Sequence, residues 1–397
     1  MLLDSFKYSI PYVVLVLYYI VLFFIEHFTK KDGPHSVVNR QIIIAAAVLG
    51  ILFFFGLRGL IGWDWTIYYP AFKSIPPLFS LNAAAFSATR YEPGFVIYIS
   101  LIKLIWSNYS FFIFICTLID LVILIAIIKQ FSRFSYALSC LVFLVMGGFY
   151  LETDLLRNAK SIMLFLLSLK YLKERRIVPF YILNILGCLF HFSSLFYLPL
   201  YFFLHKTIPK KVVIAIFIAG LIIFLLKVEY ILPLITKVAK TLGETATESL
   251  QKYLKDPLYS SGYGLTIGLA ERVMTATLII IYYEKLIEQN RDNILFINSF
   301  VLFFIFFFFF AEIKIIPIRV GGLFYPSYWI LYPALYKVIV NKNNRAIFLA
   351  FIFVYALVKV AGMTDTILYR YDNTLFGAES FDSRMEIFQS TSGYFLK

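Results

Sequence analysis

The chain is 397 residues long, 61% hydrophobic and only 15% charged, with a formal net charge of +13. A soluble domain carries about a quarter charged residues, so this chain has too few to clothe a surface facing water. Its cations gather in short loops beside apolar runs, where they set topology and meet anionic lipid headgroups; this placement points to a bilayer and away from nucleic acid.

Apolar runs recur at roughly 8–25, 41–57, 110–128, 135–150, 158–172, 212–232, 263–284, 294–311, 319–340 and 346–363. Helices of that length cross a hydrocarbon core of about 30 Å, and the alternation of a barrel strand is missing. The expectation is an all-α polytopic integral membrane protein, with residues 1–397 as a single transmembrane domain of about 10–12 spans. The first run lacks a small-residue cleavage site and reads as a retained helix. Cys116, Cys140 and Cys188 all lie in apolar runs, no C-x-x-C occurs and the histidines are scattered. Neither a metal nor another cofactor is predicted.

Basic clusters orient the chain. "EHFTKKDGPHSVVNR", "KQFSR", "KERR", "HKTIPKK", "EKLIEQNR" and "KNNR" belong inside by the positive-inside rule. Residues 178–204 are bracketed by two of these clusters and interrupted by "FHFSS", which predicts paired half-helices that enter and return, with a single tilted helix as the competing reading. Parity then makes 93–107 a short juxtamembrane or re-entrant helix. Residues 57–109 become a long extracytoplasmic loop with its own helices. The segment 233–262 reads as an extracytoplasmic amphipathic helix, and the tail 364–397 as polar and outside. No internal repeat of the kind found in many transporters is visible.

The informative charges are those on the outer side or within a span. Arg58 follows the second run, and Arg90 and Glu92 frame "RYEPGF". Glu271 and Arg272 sit within an apolar run, where a charge costs roughly 2.5–3.5 kcal/mol on insertion scales. Glu312, Lys314 and Arg319 surround "AEIKIIPIRVGGLFYPSYW". Arg157 and Lys160 open a run at its predicted outer end, where the helix dipole disfavours cations. Glu152 and Asp154 are near enough in sequence to compensate, and a bound phosphate would serve equally. Arg319, followed by Gly321 and Gly322 and then by Tyr325 and Tyr328, reads as a second instance of the same arrangement. His191, with Ser193 and Ser194, reads either as a stitched helix break or as the floor of an outer pocket.

Four blocks in order carry a family resemblance: "FGLRGLIGWDWTIYYPAF", "RYEPGFVIYISLIK", "LRNAKSIMLFLLSLKYLKERRIVPFYILNILGCLFHFSSLFYLPL" and "RVGGLFYPSYWILYP". The chain resembles the EpsG-like branch of the Wzy oligosaccharide repeat-unit polymerases. It departs from that pattern at Trp65, where the family usually has tyrosine, and in "KSIMLF", where an alanine-rich stretch is usual.

The resemblance implies a GT-C-like multi-span bundle with juxtamembrane helices in the first long loop. It also implies a metal-independent glycosyltransferase acting at the outer face of the bacterial cytoplasmic membrane. Such an enzyme takes a glycan linked through pyrophosphate to a polyprenol and joins it to the non-reducing end of a lipid-linked repeat unit. Its partners would be that lipid-linked oligosaccharide, membrane lipids and a chain-length regulator.

Fixed cations aimed at a leaving pyrophosphate are the metal-free way to stabilise it. Arg58, Arg157 and Arg319 lead, with Lys160, Arg272 and Lys314 behind them. The acceptor hydroxyl needs a base: Asp64 and Glu92 lead, followed by His191 and Glu271. Trp63, Trp65, Tyr68, Tyr69, Tyr325 and Tyr328 are the candidate glycan-facing aromatics. A glycan ligase would use the same cations. A flippase expects charges reaching both faces, and an acyltransferase expects a histidine with a polar partner.

Overall fold

A computed structural model describes residues 2–29, 35–87, 89, 91–132, 134–243, 247–248, 251 and 264–395. Arg90 and most of the proposed amphipathic segment, including Glu244, Lys252 and Lys255, lie outside the described residues. The protein is an all-α polytopic membrane protein. Among the described residues there is no strand, only an isolated antiparallel bridge between Arg58 and Asn373. The chain divides into two compact units, Met1–Leu198 with Val340–Lys397, and Pro199–Ile339, where the sequence reading takes a single domain.

The first unit contains α1 (Leu2–Thr29), α2 (His35–Ile51), α3 (Trp65–Ser74), α4 (Ala83–Ser87), α5 (Pro93–Ile105), α6 (Tyr109–Ile127), α7 (Tyr136–Phe143), α8 (Phe149–Thr153), α9 (Leu156–Lys173) and α10 (Ile177–Phe190). The second holds α11 (Lys210–Leu225), α12 (Ile231–Leu242), α13 (Ile267–Ile281), α14 (Tyr283–Gln289), α15 (Asn293–Phe308), α16 (Ile315–Arg319) and α17 (Pro326–Val338). The chain then returns to the first unit with α18 (Lys342–Met363) and α19 (Phe381–Phe395).

Five helical stretches among the described residues are long and apolar enough to cross a bilayer: Phe6–Thr29, Val38–Gly56, Tyr109–Ser132, Tyr136–Thr153 and Lys342–Met363. The other windows read from hydropathy take a different form. Helix α9 carries Arg157, Lys160, Lys170 and Lys173. Helices α11 and α15 have 16 residues each, a rise of about 24 Å, short of a full crossing. The window 319–340 is interrupted by a 3-10 turn at Gly321–Phe324 before α17 begins. Helix α5, with 13 residues, is too short to cross. In 178–204, α10 ends at Phe190, His191 is extended, and a 3-10 stretch runs from Phe192 to Phe202.

Distant carboxylates start several of these helices. Glu26 accepts the N–H groups of Tyr136 and Ala137 at 3.0 Å each and the Ser135 hydroxyl at 2.5 Å, at the head of α7. Glu312 accepts the N–H groups of Tyr230, Ile231 and Leu232 at 2.7–3.0 Å, at the head of α12. An anion there meets donors that have no partner within the helix, together with the positive end of the dipole. The span Tyr136–Thr153 is kinked at Met146 and Gly147, where the glycine takes φ of 101°. That conformation is open mainly to glycine.

Candidate functional site

The loop that follows Gly56 is tied down at once. Arg58 is 2% exposed. Its Nε and Nη2 donate to the Glu152 carbonyl at 3.1 and 2.8 Å, Nη2 also to the Thr153 carbonyl, and Nη1 to the Gly59 carbonyl. The guanidinium therefore closes the C-terminal end of α8, where orphan carbonyls favour a cation. The sequence reading offered Arg58 to a pyrophosphate; the structure gives it a buried clamp on backbone instead. Gly62 follows with φ of 84°, and a Cβ there would lie 2.5 Å from the Asp154 carboxylate. Asp154 accepts the N–H groups of Trp63 at 2.6 Å and Asp64 at 3.1 Å, so its charge heads α3. Burial pushes the Asp154 carboxyl above its usual range, opposed by those two backbone donors.

The aromatics of this loop are largely core. Trp65 is 2% exposed, with Phe381 and Phe388 of α19 edge-on to it. Tyr69 stacks on Phe381 at 4.5 Å, and buried Tyr68 lies against Tyr91 and Phe95. Trp63, more than a third exposed, also meets Phe388. The tail makes this cover. Gly59 and Gly62 donate to the carbonyls of Asp372 and Leu368, Thr374 donates to the Leu57 carbonyl, and the Arg384 Nε donates to the Leu60 carbonyl at 2.8 Å. Trp65 and Tyr68 are thus buried and Tyr69 half-buried, and the tail, read from sequence only as polar and external, supplies partners to Trp65 and Tyr69.

Three sequence blocks converge on Arg157. It begins α9 with its side chain 21% exposed, and Nη1 bonds Glu92 Oε2 at 2.5 Å. Its guanidinium lies 4.7 Å from the centre of the Tyr91 ring and hydrogen-bonds Tyr68, while its buried Nε–H has no acceptor among the described residues. Glu92 precedes Pro93 at the head of α5, and its other oxygen accepts the Phe192 N–H at 3.2 Å. Gly94 permits this meeting, because a Cβ there would lie 2.7 Å from Leu189 at the end of α10. Asp64, half-buried at the head of α3, is near enough to raise both Tyr68 and Tyr91. Burial is the larger cause, pushing Tyr91 up to about 12 and Tyr68 further still, while Arg157 opposes both rises.

His191 is the residue before Phe192. Its Nδ1 accepts the Ser193 N–H at 3.2 Å and lies 2.7 Å from the Ser193 hydroxyl. An Nδ1 that accepts a backbone N–H leaves the neutral ring's proton on Nε2.

Lys160 is not in this group. Its ammonium is buried in a pair with Asp120 Oδ2 at 2.5 Å and with the Cys116 carbonyl at 2.8 Å, both on α6. Asp120 went unremarked in the sequence, although a lone acid in the middle of "ICTLIDLVIL" carries the same cost as any charge in a span. Close by, Glu152 is fully buried and accepts the Thr117 hydroxyl at 2.8 Å.

The remaining candidates belong to the second unit. Glu271 is 2% exposed and accepts the hydroxyls of Thr275 and Tyr332 at 2.8 Å each and of Tyr328 at 3.4 Å. Arg272 lies 3.6 Å from the centre of the Phe307 ring and hydrogen-bonds Tyr325. Lys314 is half-buried just before α16. Arg319 is exposed and ends that five-residue helix, where a cation suits the dipole. It therefore does not open the long helix α17, which begins seven residues later behind the Gly321–Phe324 turn.

No curated protein and no solved structure matches the chain. A family model does: the EpsG family, over residues 41–373, a stretch that includes the loop, the Arg157–Glu92 pair, the His191 break and the whole second unit. A match over so much of the length, carrying the four blocks in order, shows that the chain belongs to the EpsG family.

Proposed function

We propose that the protein is a repeat-unit polymerase that transfers a polyprenyl-pyrophosphate-linked glycan onto the non-reducing end of a lipid-linked repeat unit. Membership of the EpsG family supports a polysaccharide-polymerase role in general terms. The finer reading is carried by one observation, the convergence of Tyr68, Tyr91 and Glu92 on Arg157, with Asp64 close to both tyrosines. The setting proposed for it is a GT-C-like enzyme working at the outer face of the bacterial cytoplasmic membrane.

In the reaction the acceptor hydroxyl oxygen attacks the anomeric carbon of the donor glycan. The bond from that carbon to the pyrophosphate oxygen breaks, and the electron pair leaves with the lipid pyrophosphate. Arg157 meets the charge that develops there through the exposed part of its guanidinium, helped by the positive end of α9. Both Glu92 oxygens are engaged, one with Arg157 and one with the Phe192 N–H, so Glu92 positions the guanidinium. The acceptor proton then goes to Asp64. His191 presents Nε2–H as a further donor to phosphate.

Purified protein given lipid-linked repeat units, with no nucleotide sugar, tests this. A ladder of longer lipid-linked products is the expected result, with loss of the ladder and accumulation of single units in Arg157→Ala. Unchanged units in the assay, together with their movement across vesicle membranes, would replace the polymerase with a transporter.

A further inference from the structure

We infer that Thr117 and Asp120 on α6 are positioning residues for Arg157, gripping the α8–α9 junction from both sides so that the guanidinium is held at one rotation and height. This rests on the proposed role of Arg157 at the leaving pyrophosphate.

The geometry is a bracket. Asp154 and Leu155 link the two helices, and Leu155 departs from helical backbone with φ −111° and ψ 41°. Such a joint does not by itself set the direction of the residues that follow. Before the joint, Glu152 receives the Thr117 hydroxyl at 2.8 Å, and Arg58 holds the carbonyls of Glu152 and Thr153. After it, Lys160 bonds the Asp120 carboxylate at 2.5 Å and the Cys116 carbonyl at 2.8 Å. Residues 116, 117 and 120 form one polar face of an otherwise apolar helix. Arg157 lies between the two grips, three residues before Lys160 and so on the same side of α9.

A turn of α9 by one residue would swing Arg157 by about 100°, away from Glu92 and Tyr91. It would also drag the Lys160 ammonium from its carboxylate into apolar surroundings. Side-chain exposure is 5% for Lys160 and 1% for Asp120, so neither has water to fall back on. A buried ion pair is a weak source of net stability; its best-attested use is to fix register. Fixed register is what a cation aimed at a developing charge requires, since a misplacement of 1 Å can cost about 100-fold in rate.

The test uses the full-length protein in the polymerisation assay. Asp120→Leu with Lys160→Met replaces the pair by apolar groups of similar bulk, a change buried pairs often tolerate. The double variant is expected to insert and melt close to the wild type, with kcat down about 100-fold and KM little changed, because interactions made only in the transition state are lost from kcat. A folded double variant with wild-type kcat overturns the inference. If it fails to insert, Thr117→Val takes its place: a kcat loss of about tenfold supports the grip, and a wild-type kcat overturns it.

A second readout needs no turnover. In a Glu92→Cys/Arg157→Cys protein, cross-linking by a short bis-maleimide is expected to slow when Asp120→Leu and Lys160→Met are added; an unchanged rate overturns the inference. Were the wild type to make no polymer at all, the polymerase reading would fail while the cross-linking still decided the grip.

Discussion

Two arginine–carboxylate regions behave differently. At the head of α9, Arg157 and Glu92 come from positions 65 apart and meet directly, each side chain 21% exposed. In α13, Glu271 and Arg272 are neighbours in sequence and turn to different partners. Adjacent helical residues point about 100° apart, so Glu271 collects hydroxyls from Thr275, Tyr328 and Tyr332 while Arg272 lies on Phe307. A charge in an apolar run can be satisfied by hydroxyls and ring faces, and then it marks packing. A charge held by a distant partner at the mouth of a helix, and still partly exposed, is the kind we assign to substrate.

The largest test of that contrast is Arg157→Ala against Arg272→Met. The first is expected to lower kcat by about 10²–10³, the effect of removing one donor from a developing anion, with Arg157→Lys recovering part as a point charge. The second keeps bulk over Phe307 and is expected to retain chain extension; equal losses at the two sites would break the comparison.

Next comes Arg58→Met, which strips the carbonyls of Glu152, Thr153 and Gly59 of their donor. It is expected to cost about 3 kcal/mol by thermal melting, since buried polar groups left unsatisfied cost about 1–3 kcal/mol each. Tyr332→Phe removes one of the hydroxyls serving Glu271 and is expected to cost about 1 kcal/mol in the same measurement, with kcat unchanged. The smallest effect is on pH dependence. Tyr91 is pushed up to about 12, so its phenol stays protonated through the working range. Tyr91→Phe is expected to leave the alkaline limb of the rate profile in place, and a shifted limb would make Tyr91 an acid in the reaction.

Much of this was legible in the sequence, for a physical reason. Apolar runs and flanking cations report directly on the bilayer, so the all-α membrane class was readable. Arg157 stood out because a cation at a helix head contradicts the dipole. What hid were partnerships made at long range. Asp120 was masked by the strongly apolar average of its own span. Trp65, Tyr68 and Tyr69 read as a sugar-facing wall because the α19 residues that cover Trp65 and Tyr69 lie about 300 positions later. The interruption of 319–340 turns on backbone geometry around Gly321 and Gly322, which hydropathy does not record.

The tail's grip on the first loop also sets an order of events. Arg384 reaches back 324 positions to the Leu60 carbonyl, and Phe381 and Phe388 complete the packing of Trp65. A growing chain emerges from its N-terminus and its early segments insert while the rest is still being made. Loop 57–75 therefore waits, Trp65 and one face of Tyr69 uncovered, until translation has passed Phe388. The loop beside the candidate site is among the first segments synthesised and one of the last to reach its final form. A nascent chain stopped short of the tail would carry every spanning helix described above and still lack a finished loop.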